Sequence, residues 1–366
     1  MIHSLTGGGS EHAAATMASH WADAGRDVTL ITLDSVEHDQ ITFSPKVERI
    51  GLNVMGDSTG IWSAIKANRL RIQSLRVALI KSAPDRVISL TDRTNVLTLL
   101  AVRGTDLKVV ISERTDIRHH RIGRVWEWLR KRTYPRACSI VVQTEAIRTA
   151  LAPIAGTAPI HVIPNAVPHP SVVAVSAANC PKLDFQGNSN WFVAIGRFSF
   201  EKGFDRLIDA FAQAVGQCPA WNLAIIGDGP EKTNLEKTTQ DLGLKDRLLF
   251  PGWIESPWSA IPQSSIAVLP SRYEGFPNTL LEAMSHGIAP IAFDCESGPS
   301  EIITHNKNGL LIPHNDVIAL AAAMQSLAND EATRTRLATA AQSVNDQFSP
   351  ERIFALWETV LRDCQR

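Results

Sequence analysis

Hydrophobic residues along the chain fall in short runs separated by longer amphipathic stretches. Residues 28–33, 86–90, 108–112 and 139–143 are rich in Val, Ile and Leu, the pattern of buried strands. Between them, residues 10–24 (closed by Gly25) and 61–82 carry apolar side chains at helical spacing. The alternation then returns, with strands predicted over 191–196, 221–227, 248–252, 265–270 and 289–293 and helices over 205–215 and 279–285. Such β-α-β repetition predicts an α/β protein with parallel sheets. Residues 164–190 are rich in Pro, Ser, Ala and Asn and lack periodicity, so they read as the junction of two domains, 1–166 and 167–349. Residues 350–366 read as a terminal helix with Ile353, Phe354, Trp357 and Val360 among its apolar positions, and residues 1–5 as the end of a first strand.

Length and composition narrow the class. A chain of 366 residues fits two domains, and 20 % charged residues is too few for a coiled coil or a disordered chain. The formal net charge of −1 lacks the basic excess usual for nucleic-acid binding. It conceals a split: residues 1–166 hold 21 Lys and Arg against 15 Asp and Glu, whereas residues 167–366 hold 15 against 22. The five cysteines are far apart and form no C-x-x-C pair, so reduced thiols of a cytoplasmic protein are expected. The first residues lack the features of a signal peptide, and no apolar run is long enough to span a bilayer.

Four segments could carry chemistry. Gly7-Gly8-Gly9-Ser10-Glu11 joins a strand to a helix, where a glycine loop and helix N-terminus suit an anion; the plain alternative is a turn capped by Ser10. Gly196-Arg197-Phe198-Ser199-Phe200-Glu201-Lys202-Gly203 puts two cations after a strand, the end at which open α/β sheets bind ligands. Taken alone, such a pair is more often a solvated surface loop. Gly227-Asp228-Gly229-Pro230-Glu231 reads first as a turn with Pro230 opening a helix. In the segment from Ser271 to Ala283, Gly275 permits an unusual turn before a helix start, Glu274 can accept from sugar hydroxyls, and Glu282 from the two vicinal hydroxyls of a ribose.

Together these segments resemble retaining glycosyltransferases of family four, the group-one class. The matching residues are the glycine start Gly7 to Glu11, Val162-Ile163-Pro164-Asn165-Ala166-Val167, Gly196 to Gly203, Gly227 to Glu231, Phe250-Pro251-Gly252, and Glu274 to Glu282 with seven residues between the two glutamates. They stand in the family's order over nearly the whole chain. The resemblance implies a GT-B fold: two Rossmann-like, doubly wound domains facing each other across a cleft, the terminal helix packing back on the first. It implies transfer of a hexose or N-acetylhexosamine from a nucleotide-diphosphate sugar, expected to be UDP-linked, to a lipid-linked or polysaccharide acceptor in cell-surface glycan synthesis. Arg197, Lys202 and Glu274 would be catalytic. Gly8, Gly9, Gly196, Ile254, Gly275, Phe276, Asn278, Thr279, Leu280 and Glu282 would bind the donor. No metal or cofactor is expected, since Arg197 and Lys202 can offset the leaving-group charge and no D-x-D-like aspartate pair stands at that position.

In one place the chain departs from the family. Many relatives carry a His after the strand matching residues 108–112, where this sequence reads Ser112-Glu113-Arg114-Thr115-Asp116. Glu113, Arg114 and Asp116 become the acceptor-side candidates. The stretch 118–136 holds seven Lys and Arg with Trp126 and Trp128 among them, which reads either as a solvated basic helix or as a surface for anionic lipid on the inner face of the cytoplasmic membrane. The alternatives weighed are a sugar-nucleotide epimerase of the same fold, a nicotinamide oxidoreductase, disfavoured by the imperfect glycine motif, and an inactive sugar-binding partner of another transferase.

Overall fold

The computed structural model describes residues 1–56, 60–167, 190–254 and 257–364. Most of the expected junction 164–190 lies outside these residues. The chain divides into two compact units, residues 1–165 with 353–366, and residues 166–352.

The first unit begins with helix α1 (Gly9–Asp23), strands β1 (Thr29–Thr32) and β2 (Glu48–Gly51), helix α2 (Ile61–Ser82) and strand β3 (Val87–Leu90). It continues through α3 (Asp92–Ala101), β4 (Val109–Ser112), α4 (Arg124–Thr133), β5 (Ser139–Val142), α5 (Glu145–Ala155) and β6 (Ile160–Val162). Strands β3-β4-β5-β6 form one parallel sheet and β1-β2 another. Residues 1–2 stitch the two together: the Ile2 amide donates to Ile31 and the Leu90 amide to the Met1 carbonyl. The strand expected over residues 1–5 is therefore present only as an isolated bridge between Ile2 and Thr32. The core is the apolar face of these strands against α2, α3 and α5, through Leu75, Leu79, Val96, Ile111, Ile140 and Leu151.

In the second unit the order is β7 (Asn190–Ile195), α6 (Phe204–Ala214), β8 (Trp221–Ile226), α7 (Lys232–Asp241), β9 (Leu248–Gly252), β10 (Ile266–Leu269) and α8 (Asn278–Ser285). It ends with β11 (Ala289–Asp294), α9 (Pro299–Ile302), β12 (Leu310–Pro313), α10 (Val317–Asn329), α11 (Glu331–Ala341) and α12 (Val344–Gln347). The six strands pair in parallel in the order β12-β11-β10-β7-β8-β9. The chain winds one way from β7 to β9 and the other way from β10 to β12, so the topology switches between β7 and β10. Ligands of open parallel sheets bind beyond the strand ends at such a point.

The terminal helix α13 (Pro350–Asp363) is strongly amphipathic, with Ile353, Phe354, Trp357 and Val360 buried. Phe354 stacks on His20 and lies beside Trp21, Glu358 pairs with Arg26 at 2.6 Å, and the Leu361 carbonyl accepts from Arg86. Cys364 is disulfide-bonded to Cys138, which immediately precedes β5. The expectation of reduced thiols is corrected here: the helix returns to the first unit across a sequence separation of 226 and brings the two Cα atoms to 5.8 Å. A bond closing so long a loop restricts the unfolded chain. Cys364→Ser should lower unfolding stability by about 2–4 kcal/mol in oxidising buffer. Urea titrations with and without reductant check this: a reductant should bring the wild type down to the variant and leave the variant unchanged.

Candidate functional site

The loops after β7, β8 and β10 gather at the switch point of the second unit. The Gly196 amide donates to Ile226, the Phe198 amide to Asp228, and the Glu231 amide to Phe198, which zips the first two loops together. Glycine is required for that approach. Gly227 and Gly203 have φ of +147° and +65°, and a Cβ on either would meet a carbonyl oxygen, of Gly196 at 1.9 Å or of Pro270 at 2.2 Å. Gly203 ends a single helical turn and opens α6, so it turns Lys202 toward the loop after β10.

There Lys202 Nζ lies 2.8 and 3.0 Å from the two carboxylate oxygens of Glu274. The Ser271 hydroxyl donates to the same carboxylate at 2.6 Å. Glu274 is buried. Burial by itself would lower the lysine pKa, but the Glu274 carboxylate outweighs it and the pKa is raised, so Lys202 stays charged. Arg197 differs: it is exposed, and its guanidinium has no acceptor among the described residues. The structure thus offers one cation locked to a carboxylate and one open to a ligand. Arg272, from the same loop as Glu274, braces the site by pairing with Asp205 at 2.5 Å and lying 4.0 Å over the Phe200 ring.

The segment leading into α8 is partly self-satisfied. The Asn278 amide donates to Phe276 and the Leu280 amide to Pro277, so these two expected donor-binding positions have their amides turned into the helix start. The amides of Gly275, Phe276 and Thr279 have no acceptor among the described residues. The Phe276 ring is buried against Phe348. Glu282 lies one turn into α8, and its carboxylate has no hydrogen-bond partner among the described residues; burial pushes its pKa up to about 7. Ile254, beyond β9, is half-buried against the cluster of Trp191, Ile226 and Trp258.

Sequence reasoning gave no role to Ser271, the first residue of the segment that carries Glu274, and did not find the loop of Cys295, Ser297 and Gly298. The Ser297 hydroxyl donates to the Gly275 carbonyl at 3.2 Å, and a Cβ on Gly298 (φ +101°) would strike Pro277 at 2.6 Å. The only sequence signal was the Ser-Gly-Pro turn that this loop contains.

In the first unit the glycine loop is organised by Glu11 rather than Ser10. Gly8 is the N-cap residue and Gly9 opens α1, while the Glu11 carboxylate reaches back to the amides of Gly7 and Gly8, each at 2.7 Å. It also accepts from the Ser4 hydroxyl and lies 3.0 Å from His3 Nε2. Burial pushes its pKa up, but the hydrogen bonds from His3, Ser4 and the Gly8 amide win and hold it down at about 2. Gly8 and Gly9 are exposed, but the Gly8 N–H points inward to this carboxylate.

The expected acceptor-side residues are also engaged inside the unit. Glu113 is fully buried, accepts from Tyr134 at 2.7 Å and from Thr115 at 3.0 Å, and lies 3.8 Å from the fully buried Arg130. Arg114 is buried and donates to Asn165 at 2.7 Å. Asp116 is buried and takes Arg118 at 2.5 Å. Among the exposed groups at this sheet end is His120, 3.0 Å from Asp92, the first residue of α3; Thr91 before it holds φ +73°, a rare conformation for a β-branched residue. The basic segment 118–136 is helical over α4 and in a short 3-10 turn at Tyr134–Arg136, and its side chains divide in two. Arg130 and Trp126 turn inward, while Arg124, Val125, Trp128, Lys131 and Arg132 are exposed.

Comparison with known proteins completes the picture. The profile described as "Glycosyl transferase 4-like domain" matches residues 8–166, and that of "Glycosyl transferases group 1" matches residues 176–344. The lipopolysaccharide core biosynthesis glycosyltransferase LpsE of Rhizobium meliloti is 31 % identical over 64 % of this chain and 67 % of its own length. The chain belongs to the group 1 glycosyltransferases. Exopolysaccharide phosphotransferase SCO2592 of Streptomyces coelicolor is 34 % identical over 63 % of this chain, which spans about a quarter (24 %) of that longer protein. The amylovoran biosynthesis glycosyltransferase AmsD of Erwinia amylovora is 26 % identical over 97 % of this chain and 96 % of its own. Among solved structures, Anabaena HepE in complex with UDP and glucose superposes with a TM-score of 0.78 at 20 % identity, over 98 % of each chain. The fold of this glycosyltransferase is GT-B.

Proposed function

We propose that this glycosyltransferase moves a hexose or N-acetylhexosamine from a UDP-sugar to a lipid-linked or polysaccharide acceptor, with retention of configuration and without a metal. The observation that carries the reading is the Lys202–Glu274 pair at the switch point of the second sheet, with Arg197 nearby in sequence and without an acceptor among the described residues. Departure of a nucleoside diphosphate builds negative charge on phosphate. Arg197, Lys202 and the open amides of Gly275, Phe276 and Thr279 are placed to stabilise it, the role a bound metal would otherwise fill. Glu274 orients Lys202 and accepts from the sugar, Glu282 accepts from the ribose, and Ile254 borders the base. Retention follows the family's same-face attack by the acceptor hydroxyl. LpsE and AmsD, whose names place them in lipopolysaccharide and amylovoran synthesis, favour a cell-surface glycan acceptor, and the UDP bound to HepE favours a UDP-linked donor. The exposed face of α4 favours work at the inner face of an anionic membrane. A melting-temperature screen of UDP- and GDP-sugars tests the donor, because ligands that bind only the folded state raise the melting temperature. UDP-sugars should raise it; no shift with any nucleotide would overturn the reading.

The half-buried Glu282 carboxyl makes the same site pH-dependent. Its folded pKa, about 7, lies above the ordinary 4.5, so between these values the folded state holds a proton that the unfolded state has lost. Its contribution to stability therefore falls as pH rises from 4.5 to 7 and then levels off. Ribose hydroxyls donate to the ionised form, so UDP affinity should rise about tenfold from pH 6 to pH 8 and flatten in Glu282→Gln. Calorimetric titration with UDP across that range measures both.

A further inference from the structure

Helix α2 turns an unusual face to solvent. Its inward side is Leu75, Ala78 and Leu79, all buried in the core of the first unit. Two of its arginines serve that side: Arg71 donates to the carbonyls of Val54 and Gly56, and Arg76 to those of Ala101 and Arg103. The opposite side should be polar on a soluble domain. Instead Trp62, Leu70, Val77 and Ile80 are exposed there at 84, 52, 66 and 54 %. At about 100° per residue these four fall on one stripe, about 27 Å long from Trp62 to Ile80 at 1.5 Å per residue, on a helix of 22 residues. Lys66, Arg69 and Lys81 are interleaved with them, exposed and without an acceptor among the described residues.

We propose that this outward face of α2 seats the protein on an anionic lipid bilayer, with Trp62 and Val77 entering the boundary between headgroups and acyl chains and the three cations meeting lipid phosphates. Charge decides the occupant. Residues 61–82 contain five Lys and Arg and no Asp or Glu, and three of the cations face outward, so a second copy docked face to face would bring like charges together, whereas an anionic surface complements all three. The helix is not apolar enough to cross a membrane, so it lies along the surface. Apolar contact and charge act together here: area buried in the interface adds to the attraction of each cation for an anionic surface. The proposal extends the membrane part of the reading above to a second helix and is independent of the donor chemistry.

The test is sedimentation of the full chain with vesicles of phosphatidylglycerol and phosphatidylcholine, and with phosphatidylcholine alone, for wild type and for Trp62→Ser/Val77→Ser. UDP-induced melting shifts run in parallel report the donor site separately. Both changes are at exposed positions, so the fold and the UDP shift should persist. The expected result is binding to the anionic vesicles only, reduced by high salt and at least fivefold weaker in the variant. Wild type that stays in solution, or a variant that binds as well as wild type, overturns the proposal. So does concentration-dependent self-association, seen by analytical ultracentrifugation without lipid, that the variant abolishes.

Discussion

Lys202→Met should lower sugar transfer by about 10²–10³-fold, the usual effect of losing one donor aimed at developing charge. A large part of any loss could in principle be structural, because the ammonium also neutralises a buried carboxylate at 2.8 Å. Removing one member of a buried pair leaves the other uncompensated, with only the Ser271 hydroxyl, among the described residues, still bonded to Glu274. Lys202 retains a quarter of its side-chain surface in solvent (25 %), so that penalty is reduced by screening. The double variant Lys202→Met/Glu274→Gln separates the two effects. Neutral on both sides, it should recover most of the melting temperature lost by Lys202→Met and none of the turnover. Recovery of turnover along with stability would remove Lys202 from the chemistry and leave it a structural cation. Arg197→Ala makes the complementary case. Its guanidinium has no acceptor among the described residues, so the fold should not notice the change while transfer falls.

The sequence could be read well where burial is strong and poorly where it is not. Buried strands such as Val109–Ser112 and Ile266–Leu269 announce themselves as β-branched runs, and helix 61–82 was legible to the residue because Gly60 precedes it and its inward apolar spacing is regular. The strands that escaped notice, Glu48–Gly51 and Ile160–Val162, are three or four residues long at sheet edges and only half-buried, which leaves no alternation to detect. The whole of 310–347 carries ordinary helices and a strand with no chemical motif to draw attention. Site residues could be named individually because each follows a strand. Their contacts could not: Lys202 and Glu274 are 72 positions apart, and only the reversal of strand order between β7 and β10 joins them. The glycine loop shows the converse. The spacing Gly8-x-x-Glu11 was itself a capping signature, and its consequence, that Glu11 occupies amides a diphosphate would otherwise meet, needs coordinates. In the segment 118–136 composition alone merged two populations of cations that the helix separates, Arg130 inward to Glu113 and Lys131 and Arg132 outward.

Gly227→Ala should unfold the site rather than trim it. A positive φ by itself is a modest burden for alanine, about 1 kcal/mol. Gly243, at φ +69°, has nothing within 4 Å of a built Cβ and shows that burden without a clash; at the φ of +147° held by Gly227 a side chain is rarer still. At Gly227 the added methyl would lie 1.9 Å from the Gly196 carbonyl oxygen and 3.1 Å from the Phe198 ring. Neither neighbour can withdraw cheaply. The Gly196 peptide is tied to the end of β8 by its amide, and Phe198 is fully buried between Phe204 and Phe250. Relief therefore requires the β7 and β8 loops to part, and with them the segment that carries Arg197 and Lys202. The expected loss is about 3 kcal/mol or more, together with the UDP-induced melting shift, against about 1 kcal/mol and an intact shift for Gly243→Ala. Urea denaturation and the nucleotide melting shift, measured on both variants, decide the matter. If Gly227→Ala kept both the stability and the UDP response of Gly243→Ala, the close approach of the two loops would not be what holds the cations in place.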